Sequence, residues 1–164
     1  MEQFGEFIFD SLKFARERGC RAGEVPVGKL QRLADLLADE EGSLAWKVTG
    51  VCDAEGKLFL VLDVSGELHL KCQRCLAALV FQLRIRSRLQ LVAPGAKWPD
   101  EALEDDGSDP IEALEAQPLL PLVEDEVLLA LPIAPRHESC AVPGYVRESS
   151  GNSPFAALGR LKKH

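Results

Sequence analysis

The feature that most constrains the fold is an alternation of apolar and polar side chains through the middle of the chain. Apolar residues take most alternate positions from Leu44 to about Val92, apart from a turn signal at 53–56 and a turn at 72–75 that contains two cysteines. Successive side chains of a strand point to opposite faces of a sheet. The pattern therefore predicts an antiparallel β-sheet meander of about four strands with one buried face, or a partly open barrel if that sheet curls.

One dipeptide inside this alternation permits two interpretations. Ser65-Gly66 separates the apolar series that starts at Leu58 from the one that ends at Leu70. It fits a hairpin turn between two short strands, and it fits equally a bulge within one long strand. The sequence leaves both interpretations open.

Helical patterns lie on both sides of the predicted strands. Apolar spacing and capping residues predict a short helix over 10–19, a second helix over about 27–39 and a central helix over about 121–131. A short amphipathic helix is predicted at 152–163. Residues 1–164 are thus expected to form one α+β domain, a sheet flanked by two N-terminal helices, a central helix and a short C-terminal helix.

The segment at about 93–118 lacks periodicity and is rich in proline, glycine and acidic residues. We expect a mobile acidic loop there, most mobile at 98–112.

Charge is divided along the chain, which is −7 overall: residues 57–92 carry six basic and two acidic groups, whereas 93–140 carry two basic and twelve acidic groups. Because proteins that bind bare nucleic acid are usually basic, either the basic segment alone touches RNA or the acidic segment meets a basic protein.

Composition favours a reduced, cytoplasmic protein. The acidic start, Met1 to Glu6, lacks the basic stretch followed by an apolar stretch that a signal peptide needs. No apolar run approaches the roughly 20 residues that cross a bilayer, so no membrane association is expected. The five cysteines do not have the spacing of a secreted disulfide framework.

Two short motifs supply soft metal ligands. Cys72 and Cys75 lie in a Cys-Gln-Arg-Cys turn, and His137 and Cys140 lie in a His-Glu-Ser-Cys segment. Three thiols and one imidazole make a complete tetrahedral shell for structural zinc. A thioredoxin-like redox site would need its first cysteine at a helix N-terminus, whereas this turn is predicted to join two strands. Cysteines without a metal are the remaining alternative.

An arginine stripe occupies the polar positions of the last predicted strand. Arg84, Arg86 and Arg88 alternate with apolar residues, and Lys71 and Arg74 lie near the preceding turn. These five residues are candidate RNA-binding residues through phosphate contacts. The alternative is a charged, solvated sheet face with no ligand.

Two further groups of polar residues permit functional hypotheses. Glu124, Asp125 and Glu126 form an acidic run that we interpret mainly as complementing the positive end of the central helix, with partner binding as a weaker hypothesis. His69, beside Glu67 and near Lys71, could belong to a nuclease, but the spacing only places it on one side of a strand. The sequence carries no phosphate loop, dinucleotide fingerprint or nucleophile elbow, and no small-molecule substrate is expected.

Three strings together resemble a known family. They are Cys-Gln-Arg-Cys-Leu at 72–76, Val-Glu-Asp-Glu at 123–126 running on to Leu-Pro at 131–132, and Pro-Phe-Ala-Ala-Leu at 154–158. Their order and content are similar to the YceD family, the large ribosomal RNA subunit accumulation proteins. The resemblance spans nearly the whole chain, although each string alone would be weak.

The resemblance implies a non-enzymatic role in 23S rRNA accumulation or processing and in large-subunit assembly. The implied partners are 23S rRNA or its precursor, a large-subunit ribosomal protein, or both. The family has no established catalytic residues, so none is assigned. Two alternatives stay open: an rRNA-processing nuclease that uses His69 or the Cys–His cluster, and a zinc-stabilised adaptor that binds protein and never touches RNA.

Overall fold

The computed structural model describes residues 7–99 and 107–144. Its central element is an open five-stranded sheet with two helices packed on one face. The elements in chain order are β1 Ile8–Phe9, α1 Ser11–Arg16, β2 Cys20–Pro26, β3 Ser43–Cys52, β4 Leu58–Lys71, β5 Ala78–Val92, β6 Asp109–Glu112, β7 Gln117–Pro118 and α2 Leu119–Ala130.

The predicted α+β class and antiparallel meander are confirmed. The strand order is β2-β3-β4-β5-β6, antiparallel from β2 to β5, with β6 added parallel to β5. Strands β1 and β7 form a separate two-stranded pair. Among the described residues, β2 and β6 each have a neighbour on one side only, so the sheet is not closed into a barrel.

The Ser65-Gly66 dipeptide lies inside one continuous strand and forms neither a hairpin turn nor a bulge. Gly66 pairs with Leu44 of β3 on one side and with Leu83 of β5 on the other, with no change of register. Its φ is +156°, and a Cβ atom there would lie 2.6 Å from the Leu44 side chain. Glycine is needed at this position because the neighbouring strand approaches too closely for a side chain.

The helix predicted over 27–39 is wrong. The chain instead makes two 3₁₀ turns, Val27–Lys29 and Gln31–Leu33. The following residues pair with β4, since the amide of Ala38 donates to the carbonyl of His69 and the amide of Lys71 donates to the carbonyl of Leu36. The apolar side chains whose spacing suggested a helix therefore pack against the sheet from these turns instead.

The other helices confirm part of the prediction. α1 starts where expected, with the Asp10 side chain accepting the Lys13 amide at 2.9 Å, and it ends at Arg16. The predicted central helix is α2. It begins two residues early, so the acidic run 124–126 lies beyond its first turn, and the helix-dipole interpretation of that run is wrong. The C-terminal helix predicted at 152–163 lies outside the described residues.

The segment predicted as an acidic loop contains regular structure. Strand β6 pairs with the end of β5, and Gln117–Pro118 forms β7. The description of 93–118 as a loop without regular structure is therefore wrong for these two strands. Residues 100–106 lie outside the described part.

The core lies on the inner face of the sheet. The α1 residue Ala15, the 3₁₀ turns and α2 cover that face. Its fully buried large side chains include Leu30, Leu33, Leu44, Leu60, Leu62, Leu68, Leu70, Leu89 and Leu119. The opposite, outer face is mostly polar. Within the described residues, no helix is both long and apolar enough to cross a bilayer.

Candidate metal centre and outer sheet face

The structure brings the two cysteine motifs together at one end of the sheet. Ligand atoms of Cys72, Cys75, His137 and Cys140 all lie within 4.8 Å of one another. Cys72 is buried and the other three residues are half-buried. The predicted convergence of the motifs is thus confirmed, and this Cys–His cluster could hold a metal ion.

The turn between β4 and β5 positions the first two thiols. The amide of Cys72 donates to the carbonyl of Ala77, and the amide of Leu76 donates back to the carbonyl of Cys72, both at 2.9 Å. Leu76 has φ +64°, a left-handed conformation that is uncommon outside glycine and asparagine. This tight turn aims both cysteine side chains to the same side of the backbone.

The segment after α2 supplies the other two ligands. The carbonyl of Pro135 accepts the Gln73 amide at 2.8 Å, which docks the segment on the turn. His137 places Nε2 2.9 Å from the Ala78 carbonyl oxygen. Because a carbonyl only accepts, this bond assigns the ring proton to Nε2 in the neutral imidazole and leaves the Nδ1 lone pair facing Cys75, 3.3 Å from its Sγ.

The spacing of the ligand atoms fits a small tetrahedral ion. Two sulfurs bound at about 2.3 Å to the same tetrahedral zinc lie roughly 3.8 Å apart. The Sγ atoms of Cys72 and Cys140 are 3.7 Å apart. Thiolate and imidazole donors in this geometry suit zinc better than magnesium or calcium, which prefer oxygen ligands.

The electrostatics of the cluster differ from one ligand to the next. Burial raises the pKa of Cys72, but backbone amides of Cys75, His137 and Arg74 outweigh it and lower that pKa to about 5. The pKa of His137 is raised, first by Cys140 and then by Cys72. A backbone bond to Ala77 lowers the pKa of Cys75, but burial and the neighbouring thiols of Cys72 and Cys140 raise it overall. Cys72 therefore favours the thiolate form that metals bind, whereas the raised pKa values of Cys75 and His137 favour their protonated forms until a metal binds.

Arg74, a candidate RNA contact, points at the cluster. Its Nε donates to the Cys140 sulfur at 2.9 Å, and an Nη donates to the carbonyl of His137 at 2.7 Å. The Cys140 thiol, with smaller contributions from Cys72 and Cys75, raises the pKa of Arg74 further, so the guanidinium stays charged. Sequence reasoning missed this contact because it joins residues 66 positions apart.

The outer sheet face carries the arginine stripe. Arg84 and Arg86 are exposed there, and strand register places Lys47 of β3 across Asp63 from Arg86. A shallow depression of about 240 Å³ lies beside them and is lined by Lys47, Arg84 and the small residue Ser65. Arg86 pairs with Asp63 at 3.7 Å, an exposed contact of little energetic weight. Lys47 is an additional basic residue of this surface that only the strand register reveals.

Arg88 differs from the other two arginines. Its guanidinium carbon lies 3.8 Å from the centre of the Phe59 ring, and Phe59 is fully buried although it belongs to the outer face. The guanidinium thus covers an apolar side chain through a cation–π contact. Arg88 has a packing role that Arg84 and Arg86 lack.

Lys71 and His69 are held by neighbouring side chains and backbone. Lys71 Nζ donates to the carbonyl of Asp35 at 3.4 Å. His69 lies between two carboxylates, with Nδ1 2.8 Å from Asp39 and Nε2 3.4 Å from Glu67. The pKa of His69 is raised, chiefly by Asp39 and then by Glu67. Lys71 and the end of β4 lie between His69 and Cys72 along the chain, and His69 is not a member of the Cys–His cluster.

The acidic run 124–126 makes contacts inside the protein. Glu124 is buried and accepts the Arg32 amide at 3.1 Å, while buried Glu126 accepts the Ser87 hydroxyl. Asp125 is half exposed and pairs with the Arg32 guanidinium. All three carboxylates therefore bond α2 to its neighbours, and of the three Asp125 alone presents much of its surface to solvent.

Fold and site together define a small α+β protein with an open sheet, a basic outer face and a Cys₃His cluster at one end. Residues 60–162 match the family described as large ribosomal RNA subunit accumulation protein YceD. The chain belongs to the YceD family. It is 29% identical over 170 residues to the Haemophilus influenzae large ribosomal RNA subunit accumulation protein YceD, covering 94% of each chain. No solved structure matches it.

Proposed function

We propose that this protein is a non-enzymatic factor that supports 23S rRNA accumulation and large-subunit assembly in the cytoplasm. The observation that carries the proposal is membership of a family described as large ribosomal RNA subunit accumulation proteins. A relative of that name matches 94% of the chain, so the likeness extends beyond the residues that match the family model.

The outer sheet face is the proposed contact with 23S rRNA or its precursor. Lys47, Arg84 and Arg86 present positive charge on one surface, away from the core. Phosphate contacts need only such charges at suitable separations, and they carry no base specificity. Arg88 and Lys71 would contribute less, because one covers Phe59 and the other bonds to Asp35.

A large-subunit ribosomal protein is the proposed second partner. Ribosomal proteins are basic, and exposed acids of this chain lie on and near β6 and on α2: Asp109, Glu112, Glu115 and Asp125. Complementary charge speeds association and suppresses wrong partners. Glu124 and Glu126 would act indirectly, by holding α2 in place.

Structural zinc is proposed for the Cys–His cluster. Cys72, Cys75, Cys140 and His137 Nδ1 would hold the ion and fix the segment after α2 to the β4–β5 turn. Zinc removal with a chelator should then lower the melting temperature of the purified chain, and added zinc should restore it. A Cys75→Ser variant should lose the response, whereas a Cys20→Ser variant, changed at an exposed cysteine outside the cluster, should keep it.

Affinity purification from growing cells at low salt tests the proposed role. The tagged full chain should recover 23S rRNA or its precursor, or a large-subunit ribosomal protein. RNase treatment before elution separates the two partners, since a directly bound protein survives it. Recovery of neither partner, with 23S rRNA unchanged in cells that lack the protein, would contradict the proposal.

A further inference from the structure

Arg74 links the two halves of the Cys–His cluster. Arg74 belongs to the β4–β5 turn, yet its guanidinium bonds to the segment that follows α2. Its Nε donates to the sulfur of Cys140 at 2.9 Å, and an Nη reaches the carbonyls of His137 at 2.7 Å and Glu138 at 3.4 Å. One planar guanidinium thus bonds both a ligand atom and the backbone that carries the ligands.

The net charge of the zinc-loaded site would favour this contact. Three thiolates and a neutral imidazole around a zinc dication leave one net negative charge in a half-buried place. A guanidinium beside one sulfur neutralises that charge. A hydrogen bond to a metal-bound thiolate also withdraws electron density from sulfur, and partners outside the ligand shell generally tune a metal site in this way.

We infer that Arg74 is a positioning residue of the metal centre, which clamps the 137–140 segment onto the turn and makes the Cys140 thiolate less reactive toward electrophiles. The inference rests on the zinc proposed above. It assigns Arg74 to the metal centre rather than to rRNA, because the Nε and one Nη of the guanidinium already have acceptors. The cluster would then be a structural metal site with thiolates of low reactivity.

Alkylation of individual cysteines tests the inference in the zinc-loaded full chain. Iodoacetamide is added, and mass spectrometry follows each cysteine separately. In Arg74→Gln the rate at Cys140 should rise about tenfold, the size expected for loss of one charge-assisted hydrogen bond. Arg74→Lys, which keeps the charge but loses the fork of donors, should give a smaller rise.

Two comparisons separate this role from general loosening of the site. Arg136→Gln removes the same charge from an exposed residue of the same segment, and it should leave all cysteine rates unchanged. Cys75, which does not accept a hydrogen bond from the Arg74 guanidinium, should show a smaller rise than Cys140 in Arg74→Gln. An unchanged Cys140 rate, or an equal rise at every cysteine of the cluster, would overturn the inference.

The failure of zinc binding would be visible separately. Native mass spectrometry of the parent chain reports whether zinc is held, and its absence would overturn the zinc proposal. The Arg74 contact is then tested in the metal-free chain by nuclear magnetic resonance. The Arg74 Nε–H should exchange with water more slowly than the Arg136 Nε–H, and equal exchange would overturn the contact itself.

Discussion

At the scale of single residues, His69 is held by two carboxylates. It lies between Asp39 and Glu67 on the outer face of β4. Asp39 has its pKa lowered, first by its hydrogen bond to His69. The pair helps the 35–39 segment stay against the strand, next to the backbone bond between Ala38 and His69.

The His69–Asp39 pair predicts a definite pH dependence. A raised histidine pKa adds stability below the unfolded-state pKa, and that stability is lost as pH rises through the folded-state value. Nuclear magnetic resonance should find the His69 midpoint above the ordinary value of about 6.5. Asp39→Asn should lower the midpoint, and Asp35→Asn, an exposed carboxylate nearby, should not. An unchanged midpoint in Asp39→Asn would contradict the pairing.

The arginine stripe predicts unequal costs of substitution. Arg88→Gln should reduce the free energy of unfolding by about 1 kcal/mol, because it uncovers Phe59 and removes a cation–π contact. Arg84→Gln, at an exposed position, should change it by no more than about 0.5 kcal/mol. Urea denaturation measures both. Equal effects would show that the Phe59 contact contributes nothing.

At the scale of elements, α1 sits against β3 because Gly50 has no side chain. A Cβ atom at Gly50 would lie 2.5 Å from the Phe14 carbonyl oxygen and 2.6 Å from the Ala15 Cα. Both neighbours are backbone atoms and cannot rotate away. The approach of helix to sheet is therefore set by this one residue.

Gly50→Ala should destabilise the domain by about 1–3 kcal/mol, the usual cost of overpacking a well-packed core. Gly28→Ala is the matched control. Its new Cβ would lie nearest to a carboxylate oxygen of Glu40, at 2.9 Å, which is the far end of a flexible side chain. Thermal or urea denaturation measures the loss of stability in each of the two variants. Equal losses would mean that α1 can shift freely on the sheet.

Local patterns predicted some elements and failed for others. The long strands β3 to β5 were predicted because alternation is visible within each strand. Strand β2 was not predicted, since Val25 is its single buried residue and Arg21 and Glu24 are exposed. β6 contains Pro110, which removes a backbone donor and is tolerated there because β6 is an edge strand. Pairing with a neighbour, rather than local sequence, makes these two segments strands.

At the scale of the whole molecule, the site could be predicted only in part. Each cysteine motif is a local signal, and ligand chemistry alone suggested that the two would meet. The contact between Arg74 and Cys140, and the position of Lys47 across Asp63 from Arg86, depend on how distant segments pack. Neither is visible in any single stretch of sequence.

The salt dependence of binding to 23S rRNA tests the central claim most directly. Binding of the purified chain should weaken with added salt. The double variant Arg84→Gln with Arg86→Gln should reduce the slope of log K against log salt concentration by about two units, roughly one per lost phosphate contact. Lys13→Gln with Arg16→Gln removes two exposed charges from α1, on the opposite side of the sheet, and should leave the slope unchanged. An unaltered slope in the outer-face double variant would contradict rRNA binding by this surface.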